Sequence, residues 1–130
     1  MRLRRVDARL LDATIYLDRV LVVAGRITYR DITPSVVTLH CRKGKWSSGR
    51  THGRWALHVT LGMDADDREC VILHEVAHLM PLSTHHDKGF YRNLFRLARR
   101  MGHDMESLIE REKRYKPRVV GSITKRRRED

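Results

Sequence analysis

Between residues 5 and 24 the apolar side chains fall at Val6, Leu10, Ala13, Leu17, Val20 and Leu21. Spacings of three and four collect such positions on one face of a helix, so this stretch is predicted to be amphipathic and helical, with Gly25 as its stop. Thr33-Pro34 closes an irregular connection, and Ser35 to Arg42 then reads as a strand around Val36, Val37, Leu39 and Cys41. Trp55 to Leu61 alternates more cleanly, with Trp55, Leu57, Val59 and Leu61 on one face. The two strands are predicted to form a hairpin or to be neighbours in a small sheet. Lys43-Gly44-Lys45 and Ser47-Ser48-Gly49 have turn chemistry, which predicts a long loop from Lys43 to Arg54.

Asp64-Ala65-Asp66-Asp67 announces a second helix. Asp66 with Glu69 three residues later resembles a capping box, and acids suit the positive end of the helix dipole. Val71, Ile72, Leu73, Val76, Ala77 and Leu79 make this helix apolar on most sides, so it is predicted to be buried and central, ending near Met80 at Pro81. A loop through Ser83-Thr84-His85-His86-Asp87 follows. Phe90, Leu94, Leu97 and Met101 mark a further helix that ends near Gly102, and a short one covers Met105 to Arg114. Periodicity is lost from Lys116. The expectation is an α+β fold, with one domain over 1–115 and a basic, flexible tail over 116–130.

A chain of 130 residues with 41% hydrophobic residues fits one core and one domain. No apolar run approaches the roughly 20 residues that cross a bilayer. The charged start Met1-Arg2-Leu3-Arg4-Arg5 is followed by Asp7, Arg9, Asp12 and Asp18 in place of a signal-peptide core. A soluble, cytoplasmic protein with no membrane partner is the simplest reading. Cys41 and Cys70 form no C-x-x-C pair, which removes a zinc ribbon and favours two buried thiols over a disulfide.

Eight histidines give the chain its chemistry. His74 and His78 are four apart on the central helix, so both imidazoles project from one face, close enough to hold one ion. Glu75 between them can place its carboxylate beside such an ion and act as general base toward the water the ion activates. Chance could produce H-E-x-x-H, but two histidines and a glutamate inside an apolar helix would be costly to bury without a common partner. A catalytic zinc takes three protein ligands and one open position. For the third, His85 and His86 lie just past the Pro81 break, and Asp87 or Glu106 are acidic alternatives. His40, His52, His58 and His103 read as structural or exposed.

At these residues the chain resembles a family. Cys70-Val71-Ile72-Leu73-His74-Glu75-Val76-Ala77-His78-Leu79, followed by His86-Asp87-Lys88-Gly89-Phe90-Tyr91, is similar to the SprT-like zincin metalloproteases and the related WLM or YgjP-like bacterial metallopeptidases. Their pattern places a histidine four residues before a Phe-aromatic pair, which favours His86 over His85. Lys45-Trp46-Ser47-Ser48-Gly49 loosely resembles a turn of the same family. The resemblance spans roughly Val36 to Met101. It implies a minimal zincin-like domain, in which a small sheet packs on the H-E-x-x-H helix. It also implies Zn2+ held by His74, His78 and His86, Glu75 as general base and acid, and hydrolysis of peptide bonds, in some members on DNA-bound proteins. The strand Trp55 to Leu61 would be the extended segment along the substrate cleft. The chain lacks the cysteine-rich zinc ribbon of fuller members.

His85, Tyr91 and Tyr115 are candidates to stabilise the oxyanion of the transition state, and Trp46 and Trp55 to line a cleft; core packing is the plainer account of the aromatic residues. The formal net charge of +11 predicts attraction to polyanions, DNA among them. Its basic groups are Arg2, Arg4, Arg5 and Arg9 at one end and Lys113 to Arg128 at the other, including Lys125, Arg126, Arg127 and Arg128. These could grip phosphates without reading bases; a solvated basic tail is the plainer account. Two rival functions follow. One is a nucleic-acid-binding module with a structural zinc, the other a catalytically silent zincin-fold adaptor.

Overall fold

The first helix is longer than its sequence signals. In the computed structural model, which describes residues 7–53, 55–81 and 85–129, with side chains as far as Thr124, it runs over Ala8–Thr28 (α1). Asp7 caps its start by accepting the Arg9 N–H. Gly25 does not stop it, because the stripe Ala13, Leu17, Val20 and Ala24 continues to a buried Ile27. Burying that isoleucine contributes about 1.5–3 kcal/mol, against about 1 kcal/mol for a glycine inside the helix. The chain leaves at Tyr29 in the left-handed conformation (φ 56°), and the Arg30 N–H returns to the Gly25 carbonyl at 3.2 Å.

Three strands follow: Val36–Cys41 (β1), Ser48–His52 (β2) and Ala56–Leu61 (β3). Their order is β1-β3-β2. The two strands expected from sequence are neighbours, but they are parallel, with Val36 opposite Ala56 and Cys41 opposite Leu61. A tight hairpin between them is therefore excluded. The long loop expected over Lys43 to Arg54 instead contains β2, which pairs antiparallel to β3 from Ser48↔Thr60 to His52↔Ala56. A Ser-Gly-Arg-Thr-His segment has little strand propensity of its own; its pairing with β3 supplies what the residues do not. In β3, Leu57, Val59 and Leu61 are buried and face the helices. Trp55, expected on that face, precedes the strand and is 69% exposed.

The central helix covers Ala65–Ala77 (α2), with a turn through Met80 before Pro81. Its cap is Asp64, which accepts the Asp67 N–H at 2.8 Å, so the expected Asp66–Glu69 box is displaced by two residues. Asp67 is thereby freed to reach out of the helix. Its carboxylate accepts the Ser47 N–H and pairs with Arg111. Ser47 Oγ accepts the Gly62 N–H at 2.8 Å, which ties the entrance of β2 to the start of α2. A side chain at Gly62 would collide with the backbone of Lys45 and Trp46, so only glycine fits beneath this loop.

Lys88–Arg100 (α3) and Met105–Tyr115 (α4) follow as expected. The aperiodic tail expected from Lys116 is corrected: Pro117–Glu129 is helical (α5), and Val120 is fully buried. Proline at the first helical position starts α5, and Val119, Val120 and Ile123 form a short apolar stripe packed on the core. The core is one continuous cluster shared by α1, β3, α2 and α3, with Leu108 of α4 and Val120 of α5 added to it. Among the described residues the architecture is α+β, five helices with a three-stranded mixed sheet. No helix among the described residues is long and apolar enough to cross a membrane.

Candidate metal centre

The i, i+4 spacing of α2 sets His74 and His78 side by side, their ring centroids 5.1 Å apart. His86 arrives from the segment before α3, which Asp87 begins by accepting the Phe90 N–H at 3.0 Å. That cap fixes the entry angle of the chain and places Phe90 fully buried under the cluster, its ring centroid 4.4 to 5.0 Å from those of all three histidines. The Nε2 atoms of His74 and His78 each lie 3.0 Å from Nε2 of His86.

The tautomer of His74 follows from what holds the far side of its ring. His74 Nδ1 lies 2.5 Å from Glu112 Oε1 and donates to it, which leaves the Nε2 lone pair of His74 facing His86. Facing imidazole nitrogens at 3.0 Å need a shared proton or a cation between them, and a single proton cannot serve both contacts of His86. Tetrahedral zinc, with Zn–N bonds of 2.0–2.1 Å, holds its nitrogens about 3.3 Å apart. The three rings therefore have the size and the donor type of a zinc site. Burial and the neighbouring His74 and His78 push His86 down to about 4, which keeps it a neutral ligand across the ordinary pH range. His74, His78 and His86 form a group of three donors, and no fourth joins it among the described residues.

Glu112, from α4, was not visible as a site residue in the sequence. It is 2% exposed, and its second oxygen accepts the Tyr91 hydroxyl at 3.2 Å. A carboxylate behind a metal-binding imidazole fixes the ring and raises its basicity. Its signal is weak in sequence, because an acid 38 residues from its histidine reads as one more charge on an amphipathic helix.

Glu75 is held from the other side. Its Oε1 accepts the Thr51 hydroxyl of β2 at 2.8 Å, and the same hydroxyl lies 3.2 Å from the Glu75 carbonyl. A Cβ on Gly49 would come within 2.5 Å of Glu75 Cγ and 2.9 Å of Oε2. Gly49, read from sequence as part of a turn, is thus the strand position that leaves room for the carboxylate.

These side chains open on a cleft of about 800 Å³, lined by Trp46, Ser48 and Gly49 on one bank and by Arg111, Arg114 and Tyr115 on the other. The strand beside it is β2, not β3 as expected from the resemblance. Trp46 is half exposed there, and Tyr115 lies with its ring centroid 5.0 Å from that of His86. Other expected contacts are corrected. Tyr91 is fully buried and spends its hydroxyl on Glu112, so it supports the site from behind and does not face a substrate. His85 is exposed and does not line the cleft; Asp87 is used as a helix cap, and Glu106 is exposed in the first turn of α4. His40 and His58 pair their rings at 4.9 Å on the sheet, away from the cleft, and His52 is exposed.

Among the basic groups, Arg9 is consumed by structure: it pairs with Asp7 at 2.9 Å and donates to the carbonyls of Arg42 and Leu61. Arg4 and Arg5 lie outside the described residues, as do the side chains of Lys125, Arg126, Arg127 and Arg128. One basic surface among the described residues is on α3, where exposed Lys88, Arg92, Arg96 and Arg99 border a groove of about 380 Å³ against Ser122 and Ile123 of α5. No family model matches the chain, and no curated protein or solved structure matches it either.

Proposed function

We propose that the chain is a zinc-dependent metallopeptidase of the SprT-like kind its sequence resembles. The observation that carries this reading is the convergence of three imidazoles, with the Nε2 atoms of His74 and His78 each 3.0 Å from that of His86, beside a buried glutamate on one wall of an open cleft. His74, His78 and His86 would hold the ion. Bound there, zinc would lower the pKa of a water towards about 7 and polarise a carbonyl.

The remaining work falls to the chain's own side chains. Glu75 accepts the proton of the attacking water at a carboxylate oxygen and delivers it to the leaving amine, a role worth typically 10²–10⁴ in rate. Thr51 keeps that carboxylate turned along the cleft wall. Glu112 holds His74 in the tautomer that offers Nε2 forward. Trp46 supplies an apolar bank, and Tyr115, which lines the cleft beside His86, is the candidate to stabilise a developing oxyanion.

A peptide substrate is favoured by β2. It is an outer strand with β3 as its sheet neighbour, and Ser48 and Gly49 line the cleft. An extended peptide can add to such an edge through main-chain hydrogen bonds. The groove on α3 supports association with DNA or another polyanion through phosphate contacts alone.

Glu75→Gln should retain the zinc held by the three histidines and lose hydrolysis of an unfolded protein substrate, assayed with and without single-stranded DNA. Undiminished turnover in that variant would overturn the mechanism. A structural zinc would instead leave DNA binding intact with no hydrolysis in the wild type.

A further inference from the structure

Along α2, Asp66, Cys70, His74 and His78 recur every four residues and form one stripe of ligand-type side chains. The metal centre described above uses only the last two. Beside the first two lies His103, from the turn between α3 and α4, its side chain 2% exposed. Its Nε2 is 3.3 Å from Cys70 Sγ and 3.5 Å from Asp66 Oδ1, and the Asp66 carboxylate lies 4.0 Å from the same sulfur. We propose that Asp66, Cys70 and His103 form a second cation site, for a thiophilic divalent ion such as zinc.

The orientation of His103 carries the argument. Its Nδ1 is 3.3 Å from Glu69 Oε2, so the carboxylate takes the Nδ1 proton and turns the Nε2 lone pair toward the sulfur. This repeats, at a second place, the relation between Glu112 and His74. The two distances from His103 are close to those of a zinc site, and the Asp66–Cys70 distance of 4.0 Å would close by a few tenths of an ångström. Zinc with bonds of about 2.3 Å to sulfur and about 2.1 Å to nitrogen and oxygen sets its donors some 3.4–3.6 Å apart. Thiolate, imidazole and carboxylate together select a borderline-soft ion over magnesium or calcium.

The surroundings leave polar atoms that ordinary packing does not use. The Tyr16 hydroxyl is buried without a hydrogen-bond partner among the described residues, and its acidity is suppressed by burial and by Glu69, Cys70 and Asp66. Ser107 Oγ already donates to Asp66 and leaves that carboxylate's other oxygen toward His103. Asp66, Cys70 and Ser107 line the same cleft as the three histidines, so a fourth position on the ion would open toward it. With eight residues between equivalent positions of the two pairs, the two sites would be separated by roughly 12 Å along the helix axis. The competing account is an imidazolium at His103 held by Asp66 and Glu69, with Cys70 as a neutral thiol.

Cobalt(II) distinguishes the two, because a thiolate ligand adds sulfur-to-metal charge-transfer absorption in the near ultraviolet that a site of three histidines cannot produce. Titrating metal-free full-length protein should give two bound cobalt ions and that absorption. Cys70→Ser should lose the absorption and one ion, while Cys41→Ser keeps both. His86→Ala should weaken the histidine site and retain the absorption, so failure of the peptidase reading and failure of this one are separable. His103→Gln, which keeps Cys70 in place, guards against a folding defect in the cysteine variant and should also lose the absorption. One bound ion without charge-transfer absorption in the wild type would overturn the proposal, as would absorption that survives Cys70→Ser and disappears in Cys41→Ser.

Discussion

Replacing Glu112 by glutamine isolates the contribution of a carboxylate that touches no substrate. The residue is 2% exposed and accepts from His74 Nδ1 at 2.5 Å and from the Tyr91 hydroxyl at 3.2 Å. Glutamine keeps the shape, so no cavity opens. It removes the negative charge that makes the His74 bond strong. Hydrogen bonds to charged groups contribute about 1.5–3 kcal/mol, and neutral ones about half of that. The loss is expressed only when His74 carries positive charge through a bound ion, so it should appear in metal affinity more than in folding. At 1.4 kcal/mol per factor of ten, that loss of about 0.8–1.5 kcal/mol should weaken zinc binding about 3- to 12-fold, which meets the lower end of the roughly 10- to 100-fold range for losing the partner behind a ligating histidine. Competition with a chromophoric chelator measures this directly, and the melting temperature of the metal-free protein should change little by comparison. Tyr91→Phe, which leaves the carboxylate on His74, should have the smaller effect. Unchanged zinc affinity in Glu112→Gln, or equal losses in both variants, would refute the reasoning.

Other substitutions test the remaining supports. Gly49→Ala places a methyl where Glu75 Cγ now lies, at 2.5 Å, and should lower kcat by around 10²-fold with zinc content retained, because a displacement of about an ångström at a reacting group costs that much; full activity would show that Glu75 is placed otherwise. The metal-free protein should lose stability as pH falls from about 6.5 towards 4, since burial beside His74 and His78 depresses the folded pKa of His86 to about 4 and the unfolded chain binds the proton first. Urea melts in chelator should show that slope, and His86→Gln should flatten it. Tyr29 is 94% exposed and holds φ 56°, so Tyr29→Gly should stabilise the end of α1 by about 0.5–1 kcal/mol, read from the denaturation midpoint.

Local pattern alone determined a good part of this protein. The stripe on α1, the alternation of β3 and the apolar surroundings of His74, Glu75 and His78 were legible because each is a periodicity carried by neighbouring residues. The i, i+4 pair is legible for the same reason: helix geometry converts spacing into a shared face. His86 was readable only through the family resemblance, since spacing left His85, Asp87 and Glu106 open. What separates them is the cap that Asp87 gives to α3, together with the Phe90 ring beneath all three imidazoles.

Tertiary structure decided the rest. Ser48–His52 becomes a strand because β3 offers it a partner, and it then supplies Thr51 and Gly49 to the glutamate. Helix α5 packs on the core through Val120, flanked by Val119 and Ile123, and Asp67 serves the loop before β2 only because Asp64 takes the cap. Glu112 and His103 reach their partners from 38 and 33 residues away. Propensity and periodicity act between residues a few positions apart, whereas a buried carboxylate behind a histidine is selected by the cost of leaving either group unpaired in the interior. That cost is set by the packed fold and is not written in any local pattern of the chain.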